Sequence, residues 1–298
     1  MIRWFKNLRK RWKAMILGGG SFVFLSPFVF MHYVHAKWSG TPLRAEGMTR
    51  TFVEFDGRDL PVYRVNERGT AYRVVFVHGT PGSASNFATQ FREGIPNAEL
   101  VAYERPGFEG KPLKFRDATL RYQTDGLIAL LESMPPKPTI IVGHSYGGPV
   151  ALQATIERPE LASAALQIGG SVDPDLEETY WLQWLGQAPG FNLLPPRDFL
   201  SSNRELLRLR ADLETLESRL KDLKTPVTML HGTVDSLVPI ENVDYLQNQL
   251  QELGLQDFLR LDIHEDVNHF IPWSHPHLLK ESIEEQWLTL SRGLADRE

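Results

Sequence analysis

The sequence contains no cysteine, and this absence excludes several kinds of site together. A chain without thiols has no disulfide, no thiolate zinc site, no iron–sulfur cluster and no cysteine nucleophile. Covalent catalysis must therefore use another side chain. The absence also suits a compartment in which free thiols would be oxidised.

Acidic residues are missing from positions 1–45, although the whole chain has 37 acidic and 32 basic residues and a formal net charge of -5. Eight of the basic residues lie within positions 1–44, which leaves 24 basic against 37 acidic residues in the rest. The net charge thus averages a basic flank and an acidic main body. It gives no reason to expect a nucleic-acid partner, and an acidic body disfavours polyanionic substrates.

Residues 14–36, directly after the basic flank of residues 1–13, contain no Asp, Glu, Lys or Arg. A helix needs about 20 apolar residues to cross a roughly 30 Å hydrocarbon core, so this run predicts a transmembrane signal anchor, and the lipid bilayer is a predicted partner. Basic flanks stay cytoplasmic, which places everything after the linker of residues 37–48 outside the cytoplasm. The alternatives are a signal peptide cleaved near Ala36, giving a secreted protein, and a buried helix.

The rest of the chain is long enough to bury a sizeable core, since 42% of the 298 residues are apolar. Two alternating segments on either side of Asp56-Gly57 predict a β-hairpin. Short apolar runs then alternate with helical stretches, which predicts a mostly parallel, doubly wound sheet with helices on both faces. The predicted strands are Thr51–Phe55, Leu60–Val65, Arg73–Val77, Leu100–Tyr103, Thr139–Val142, Ala164–Ile168, Val227–Leu230 and Phe258–Ile263. The predicted helices are Leu120–Met134, Pro149–Glu157, Asn242–Leu253 and Pro276–Leu290.

Residues 171–224 interrupt this alternation, because they contain no strand candidate. They predict a helical cap inserted into a catalytic domain of residues 49–298. Ser202 and Glu205 form a capping-box pattern, which predicts a helix start there. Leucines then recur at spacings of three and four, and we expect this stripe to pack on the main domain rather than to form a dimer seam. The leucines are Leu206, Leu209, Leu213, Leu216, Leu220 and Leu223.

The insertion is also rich in aromatic residues. They indicate an apolar acyl or aromatic group in the substrate pocket, or equally the burial of a structural aromatic cluster. The residues are Tyr180, Trp181, Trp184, Phe191 and Phe199.

A Gly-His-Ser-Tyr-Gly pattern at residues 143–147 follows one predicted strand and precedes a predicted helix. A serine presented on so sharp a turn needs a strained backbone, and side chains at positions 143 and 147 would collide with the neighbouring strand and helix. The hydroxyl of Ser145 is a poor nucleophile until an imidazole takes its proton and an acid orients that imidazole. The sequence must therefore supply a histidine and an acid.

Asp235 and His269 can supply both. Asp235 follows the strand predicted at 227–230, and His269 follows the next strand. Ligands of open parallel sheets bind at the carboxyl ends of the strands, so these residues and Ser145 share one edge, in the chain order Ser, Asp, His. The alternative histidines are His264, His275 and His277.

At this point the chain resembles the α/β-hydrolase superfamily, in its serine esterase branch, from about residue 51 to residue 290. Four motifs carry the resemblance. They are the His-Gly-Thr-Pro-Gly of residues 78–82, the Arg-Pro-Gly-Phe of residues 105–108, the serine pattern, and the late aspartate and histidine. The resemblance implies an α/β-hydrolase fold with a helical cap, here preceded by the transmembrane helix.

The resemblance also implies roles for single residues. Ser145 would be the nucleophile, His269 the general base and then acid, and Asp235 the orienting carboxylate. Some relatives place the acid after the preceding strand, where Asp173 stands here. The backbone N–H groups of Thr80 and Tyr146 would form the oxyanion hole, because Pro81 has no N–H.

Four further residues are expected to support this site. His78 and His144 would hold the loop and line the serine turn rather than transfer protons. Tyr146 would form a wall of the pocket, and Arg105 would bond nearby backbone carbonyls rather than substrate. No motif for a metal or nucleotide cofactor is found.

The resemblance predicts a serine hydrolase that cleaves a carboxylic ester or related acyl bond of a small molecule through an acyl-serine intermediate. A serine in place of aspartate argues against the dehalogenase and epoxide-hydrolase branches. The alternatives are an amidase or prolyl-iminopeptidase-like hydrolase, and a non-catalytic binding protein on a hydrolase scaffold. The oligomeric state and the identity of the substrate are left open.

Overall fold

The computed structural model describes Tyr33, residues 43–188, Gly190 and residues 195–295. The predicted anchor over 14–36 lies outside this part of the chain except for Tyr33, and so do the basic flank and Phe191. No helix within the described residues is both long and apolar enough to cross a membrane.

One eight-stranded sheet forms the centre of the described chain, in the spatial order β1-β2-β4-β3-β5-β6-β7-β8. Strands β1 and β2 pair antiparallel, β2 also runs antiparallel to β4, and all other neighbours are parallel. The predicted mostly parallel sheet is therefore confirmed. The strands are β1 (Thr49–Phe55), β2 (Arg58–Val65), β3 (Tyr72–Val77), β4 (Ala98–Tyr103), β5 (Thr139–His144), β6 (Ala164–Ile168), β7 (Val227–Gly232) and β8 (Leu259–His264).

The β1–β2 hairpin turns at the predicted position. Asp56 and Gly57 take φ angles of 50° and 70°. A two-residue turn with positive φ at both positions matches the right-handed twist of the strands, and Asp-Gly tolerates it well. The local sequence therefore sets this register, with Phe55 opposite Arg58.

Eight helices accompany the sheet in the described chain. They are α1 (Ala88–Glu93), α2 (Leu120–Glu132), α3 (Gly147–Glu157), α4 (Trp181–Leu185), α5 (Arg197–Glu217), α6 (Glu241–Glu252), α7 (Ile271–Ser274) and α8 (Pro276–Ala295). The four predicted helices correspond to α2, α3, α6 and α8, with bounds shifted by up to five residues.

Both faces of the sheet are buried, because alternate residues of a strand point to opposite sides. In β3, Val75 and Val77 join an apolar core that includes α2, α3, α5 and α6. Val74 and Phe76 join a second core that includes α1 and α8. This two-sided burial explains why the central strands are continuous apolar runs in the sequence.

The insertion between β6 and β7 contains α4 and α5, and no strand is found among its described residues. Leu209, Leu213 and Leu216 are buried in the same core as α2 and α3, so the leucine stripe packs on the main domain as predicted. A buried aromatic cluster, one of the two interpretations of the aromatic residues in the insertion, is not formed by Tyr180 and Trp181, whose side chains are largely exposed.

The predicted helix start at Ser202 and Glu205 is wrong. Helix α5 begins at Arg197, directly after Pro196, and both residues of the supposed capping box are buried in its interior. A capping box satisfies free N–H groups at a helix end, and at these positions the N–H groups already belong to the helix. The side chain of Glu205 is used elsewhere, as described below.

Candidate active site

Ser145 lies at the sharp turn between β5 and α3, with a φ of 55°. Its N–H donates a hydrogen bond of 2.9 Å to the carbonyl of Ile168 at the end of β6, and its side chain is partly exposed. A non-glycine residue in this conformation costs about 1–3 kcal/mol, and such strain persists mostly at functional sites. The turn therefore presents the serine hydroxyl at the carboxyl edge of the sheet.

The glycines on either side of Ser145 are required by close backbone contacts. A Cβ on Gly143 would lie 2.1 Å from the carbonyl oxygen of Gly147 in the helix, and a Cβ on Gly147 would lie 2.2 Å from the carbonyl oxygen of Val77 in β3. Neither contact is sterically allowed. The collisions predicted from the pattern are confirmed, and they explain how strand and helix meet tightly enough to form the turn.

Asp235 and His269 are in direct contact. The Nδ1 of His269 lies 2.7 Å from Oδ2 of Asp235, and both side chains are buried. The other carboxylate oxygen accepts N–H bonds from Leu237 at 2.9 Å and Val238 at 2.8 Å. Burial alone would raise the pKa of Asp235, but these hydrogen bonds and the imidazole hold it below its ordinary value. An ionised Asp235 keeps the proton on Nδ1 and leaves Nε2 as an acceptor.

Two neutral histidines hold the loops that carry this pair. Burial lowers the pKa of His144 to about 3, and its Nε2 donates to the carbonyl of His269 at 3.0 Å. Burial also lowers the pKa of His231, whose Nε2 donates to the carbonyl of Val238 at 2.9 Å. His144 thus lies against the serine turn as expected, whereas the role of His231 was not predicted.

The serine and the pair meet around the end of β6. A Cβ on Gly169, the residue after Ile168, would lie 3.0 Å from Oδ2 of Asp235 and 3.1 Å from Nδ1 of His269. The same strand end accepts the N–H of Ser145. In the described structure no hydrogen bond joins the Ser145 hydroxyl to His269. Such bonds often tighten only when substrate is bound.

The alternative residues lie in other surroundings. Asp173 caps a short 3-10 turn in the insertion. His264 is paired with Asp262 at 3.0 Å, and His275 and His277 lie at the start of α8, with their rings 6.0 Å apart. Of these candidates, only His269 contacts Asp235.

The loop after β3 runs beside the nucleophile. A Cβ on Gly79 would lie 2.9 Å from the Cβ of Ser145. Among the described residues, none accepts a hydrogen bond from the backbone N–H of Thr80 or of Tyr146. Two free N–H groups in segments that flank the serine are what an oxyanion hole requires.

A buried ion pair behind this loop was not predicted. Arg105 and Glu205 are both fully buried, and Nη1 of Arg105 lies 2.7 Å from Oε1 of Glu205. Arg105 also bonds the carbonyls of His78 and Gly79, as expected from the sequence. One signal for Glu205 was available, because it precedes Leu209 by four residues and so falls on the buried stripe of α5. No group of residues suited to a metal ion is found in the part of the chain that the structure describes.

Comparisons with known proteins find a family match and more distant relatives. A model of the alpha/beta hydrolase family matches residues 74–281. The uncharacterized hydrolase YugF of Bacillus subtilis is 26% identical over 257 residues, which cover 70% of this chain and 88% of that protein. The pimeloyl-[acyl-carrier protein] methyl ester esterase of Aromatoleum aromaticum is 27% identical over 212 residues, 57% of this chain and 80% of that protein.

Solved structures show the same fold. The esterase EaEST of Exiguobacterium antarcticum superposes with a TM-score of 0.59 at 16% identity, covering 80% of this chain and 99% of that one. The haloalkane dehalogenase DatA of Agrobacterium tumefaciens superposes with a TM-score of 0.64 at 16% identity, covering 82% of this chain and 98% of that one. Identities this low carry the fold and not the reaction.

Proposed function

The chain belongs to the alpha/beta hydrolase family, and on that basis we propose that it is a serine hydrolase that cleaves a carboxylic ester or related acyl bond of a small molecule. The observation that carries the proposal is the 2.7 Å contact between His269 and Asp235 beside a serine held at positive φ. The methyl ester esterase among the relatives acts on the same class of bond.

In the proposed acylation step, Nε2 of His269 takes the proton of the Ser145 hydroxyl as the oxygen attacks the acyl carbon. Asp235 stabilises the imidazolium that forms. The N–H groups of Thr80 and Tyr146 bind the oxyanion of the tetrahedral intermediate, an interaction that strengthens as charge develops. The intermediate collapses when His269 gives its proton to the leaving alcohol, and the acyl group stays on Ser145.

Deacylation repeats these chemical steps with water as the nucleophile. His269 takes a proton from the water that attacks the acyl-serine, the oxyanion forms again, and the proton returns to the oxygen of Ser145. The carboxylic acid then leaves. Each proton is thus carried by one imidazole, whose orientation depends on Asp235 and on the tether from His144 to the backbone of His269.

One structural observation favours ester substrates over the amine-bearing substrates of an aminopeptidase. An enzyme that recognises a substrate amine needs a carboxylate free to pair with it. The buried carboxylate of Glu205 is already paired with Arg105 and bonded by the hydroxyl of Thr80. Glu205 therefore offers no free charge to an amine.

A fluorophosphonate probe tests the nucleophile. The purified chain should be labelled, and Ser145→Ala should lose the label together with all hydrolysis of p-nitrophenyl esters. Ser85→Ala is the matched control. Ser85 is a partly buried serine that follows the loop after β3, and its hydroxyl is bonded to that of Ser83. This variant should keep both the labelling and the hydrolysis. Labelling of Ser145→Ala at the wild-type rate would overturn the assignment.

A substrate panel separates the alternatives. Short-chain p-nitrophenyl esters should be turned over much faster than aminoacyl p-nitroanilides, and the reverse order would favour the amidase alternative. The absence of turnover and of labelling together would favour the binding protein.

The boundaries of the domains and the location of the protein stay predictions from the sequence. They comprise the anchor over 14–36, the catalytic domain over 49–298 with its insertion over 171–224, and the position of that domain outside the cytoplasm.

A further inference from the structure

The guanidinium of Arg105 lies between the loop after β3 and the inserted helix α5. Its Nε donates to the carbonyl of His78 at 2.8 Å, and its Nη2 donates to the carbonyl of Gly79 at 2.9 Å. Nη1 and Nη2 both donate to the carboxylate of Glu205, at 2.7 and 3.3 Å. One fully buried side chain, that of Arg105, thus joins the loop after β3 to the insertion.

The carbonyl of Gly79 belongs to the same peptide unit as the N–H of Thr80. That bond is trans, since the one cis bond among the described residues is Thr80-Pro81. In a trans peptide the C=O and N–H point in opposite directions. Holding the carbonyl of Gly79 towards Arg105 therefore turns the N–H of Thr80 away from Arg105, and a cation on the carbonyl makes that N–H a stronger donor.

His78 adds a second bond to the same carbonyl. Its Nε2 accepts the backbone N–H of Arg105 at 3.1 Å, so its proton lies on Nδ1, which is 2.9 Å from the oxygen of Gly79. Burial, together with the charge of Arg105, holds the pKa of His78 well below its ordinary value and keeps the ring neutral. The peptide is thus bonded from two directions.

Glu205 completes the arrangement from the insertion. Its Oε2 accepts the hydroxyl of Thr80 at 2.5 Å, while both of its oxygens bond Arg105. The carboxylate therefore fixes the side chain of Thr80 directly. Through Arg105 it also fixes the carbonyl of Gly79, which belongs to the same peptide unit as the N–H of Thr80. Without Glu205 the guanidinium would be a buried, unpaired charge, free to shift towards other acceptors.

We propose that Glu205 is a positioning residue for catalysis: through Arg105 and the hydroxyl of Thr80 it orients the Gly79–Thr80 peptide whose N–H binds the oxyanion. This inference rests on the proposed function, because it concerns the same oxyanion. It assigns to the inserted helix a role in the chemical step in addition to any role in covering substrate.

Two substitutions of Thr80 test the hydrogen bond between its hydroxyl and Glu205. Thr80→Val removes the hydroxyl but keeps the N–H, and should lower kcat about 10-fold with KM within about twofold, a smaller loss than the removal of an oxyanion donor causes. Thr80→Ser restores the hydroxyl and should recover most of kcat. Glu205→Gln removes the negative charge that holds Arg105 and cannot accept with both side-chain atoms, since one of them becomes an NH2 donor, and it should lower kcat about 100-fold.

Asp212→Asn is the matched control. Asp212 is a partly buried carboxylate on the same helix α5 that bonds a main-domain group, the N–H of Leu120 at 2.9 Å, and it does not contact the loop. This variant should keep the wild-type kcat. If Thr80→Val and Glu205→Gln both kept kcat within about twofold of wild type, the inference would be wrong.

A readout that needs no turnover separates this inference from the proposed function. In ¹⁵N NMR spectra of the full chain, Glu205→Gln and Thr80→Val should shift the amide resonances of Gly82 and Ser83, which follow Thr80, and Asp212→Asn should not. Failure of the wild-type protein to react with the fluorophosphonate probe would refute the proposed function but not the positioning role. Unchanged loop resonances in both variants would refute the positioning role alone.

Discussion

Replacing Glu205 by alanine should destabilise the folded chain strongly. The carboxylate accepts three hydrogen bonds, two from Arg105 at 2.7 and 3.3 Å and one from Thr80 at 2.5 Å. Both members of the ion pair are fully buried. Alanine would leave the guanidinium with no counter-charge in a site that water does not reach.

Two arguments bound the size of the effect. Hydrogen bonds to charged groups contribute about 1.5–3 kcal/mol each, so three of them set an upper limit near 9 kcal/mol. The variant no longer buries a carboxylate, and this relief offsets part of the loss. Measured disruptions of buried pairs cost about 3–5 kcal/mol, and we expect that range here. For a domain of this size it corresponds to a fall in Tm of about 10 °C.

Urea unfolding followed by circular dichroism measures this loss. Arg210→Ala is the control on the same helix, since it breaks an ion pair with Asp175 in which both side chains are more than half exposed. It should cost less than about 1 kcal/mol. The double variant Arg105→Met/Glu205→Leu removes both charges and should be more stable than Glu205→Ala. A Glu205→Ala variant no less stable than Arg210→Ala would refute the reasoning.

Three other predictions concern Asp235, the partly buried carboxyl of Glu104 and the N-terminus. Asp235→Asn should lower kcat about 10⁴-fold with little change in KM, because an amide favours the wrong tautomer of the histidine, and an intact kcat in steady-state assays would contradict the assigned role. Burial raises the pKa of Glu104 to about 8, so the folded state binds the extra proton and stability should fall as pH rises from about 5 to 8. Glu104→Gln should flatten that slope in urea midpoints measured at pH 5, 7 and 9, and an unchanged slope would assign it to another group. Fractionation with N-terminal sequencing should recover the full chain in membranes, whereas a mature chain beginning at Lys37 would show cleavage.

The parts of the structure that local rules govern were predictable. The β1–β2 turn follows from Asp56-Gly57, and the serine turn follows from two glycines whose Cβ atoms would overlap the backbone. The meeting of Asp235 and His269 followed from topology, because both stand at the carboxyl ends of neighbouring parallel strands. Each of these inferences needed only the strand pattern and the residues next to it.

Element ends were harder to predict, because they depend on contacts far along the chain. Strand β8 begins at Leu259, and Phe258 lies in the preceding 3-10 turn. Helix α8 runs to Ala295, beyond the last apolar residue used to predict it. Residues of good helix propensity carry α8 past the end of its apolar stripe, although Gly293 lies within that extension.

Glu205 shows why the remaining part of the site could not be predicted. Its spacing from Ser202 fits a capping box, a local pattern, whereas its partners Arg105 and Thr80 are 100 and 125 residues away. A carboxylate on the buried face of a helix must have a partner, since an unpaired charge there is prohibitively costly. That rule predicts that Glu205 needs a cation but not which one. The choice is made by the packing of the insertion on the sheet, and that packing brings the carboxylate to the loop beside Ser145.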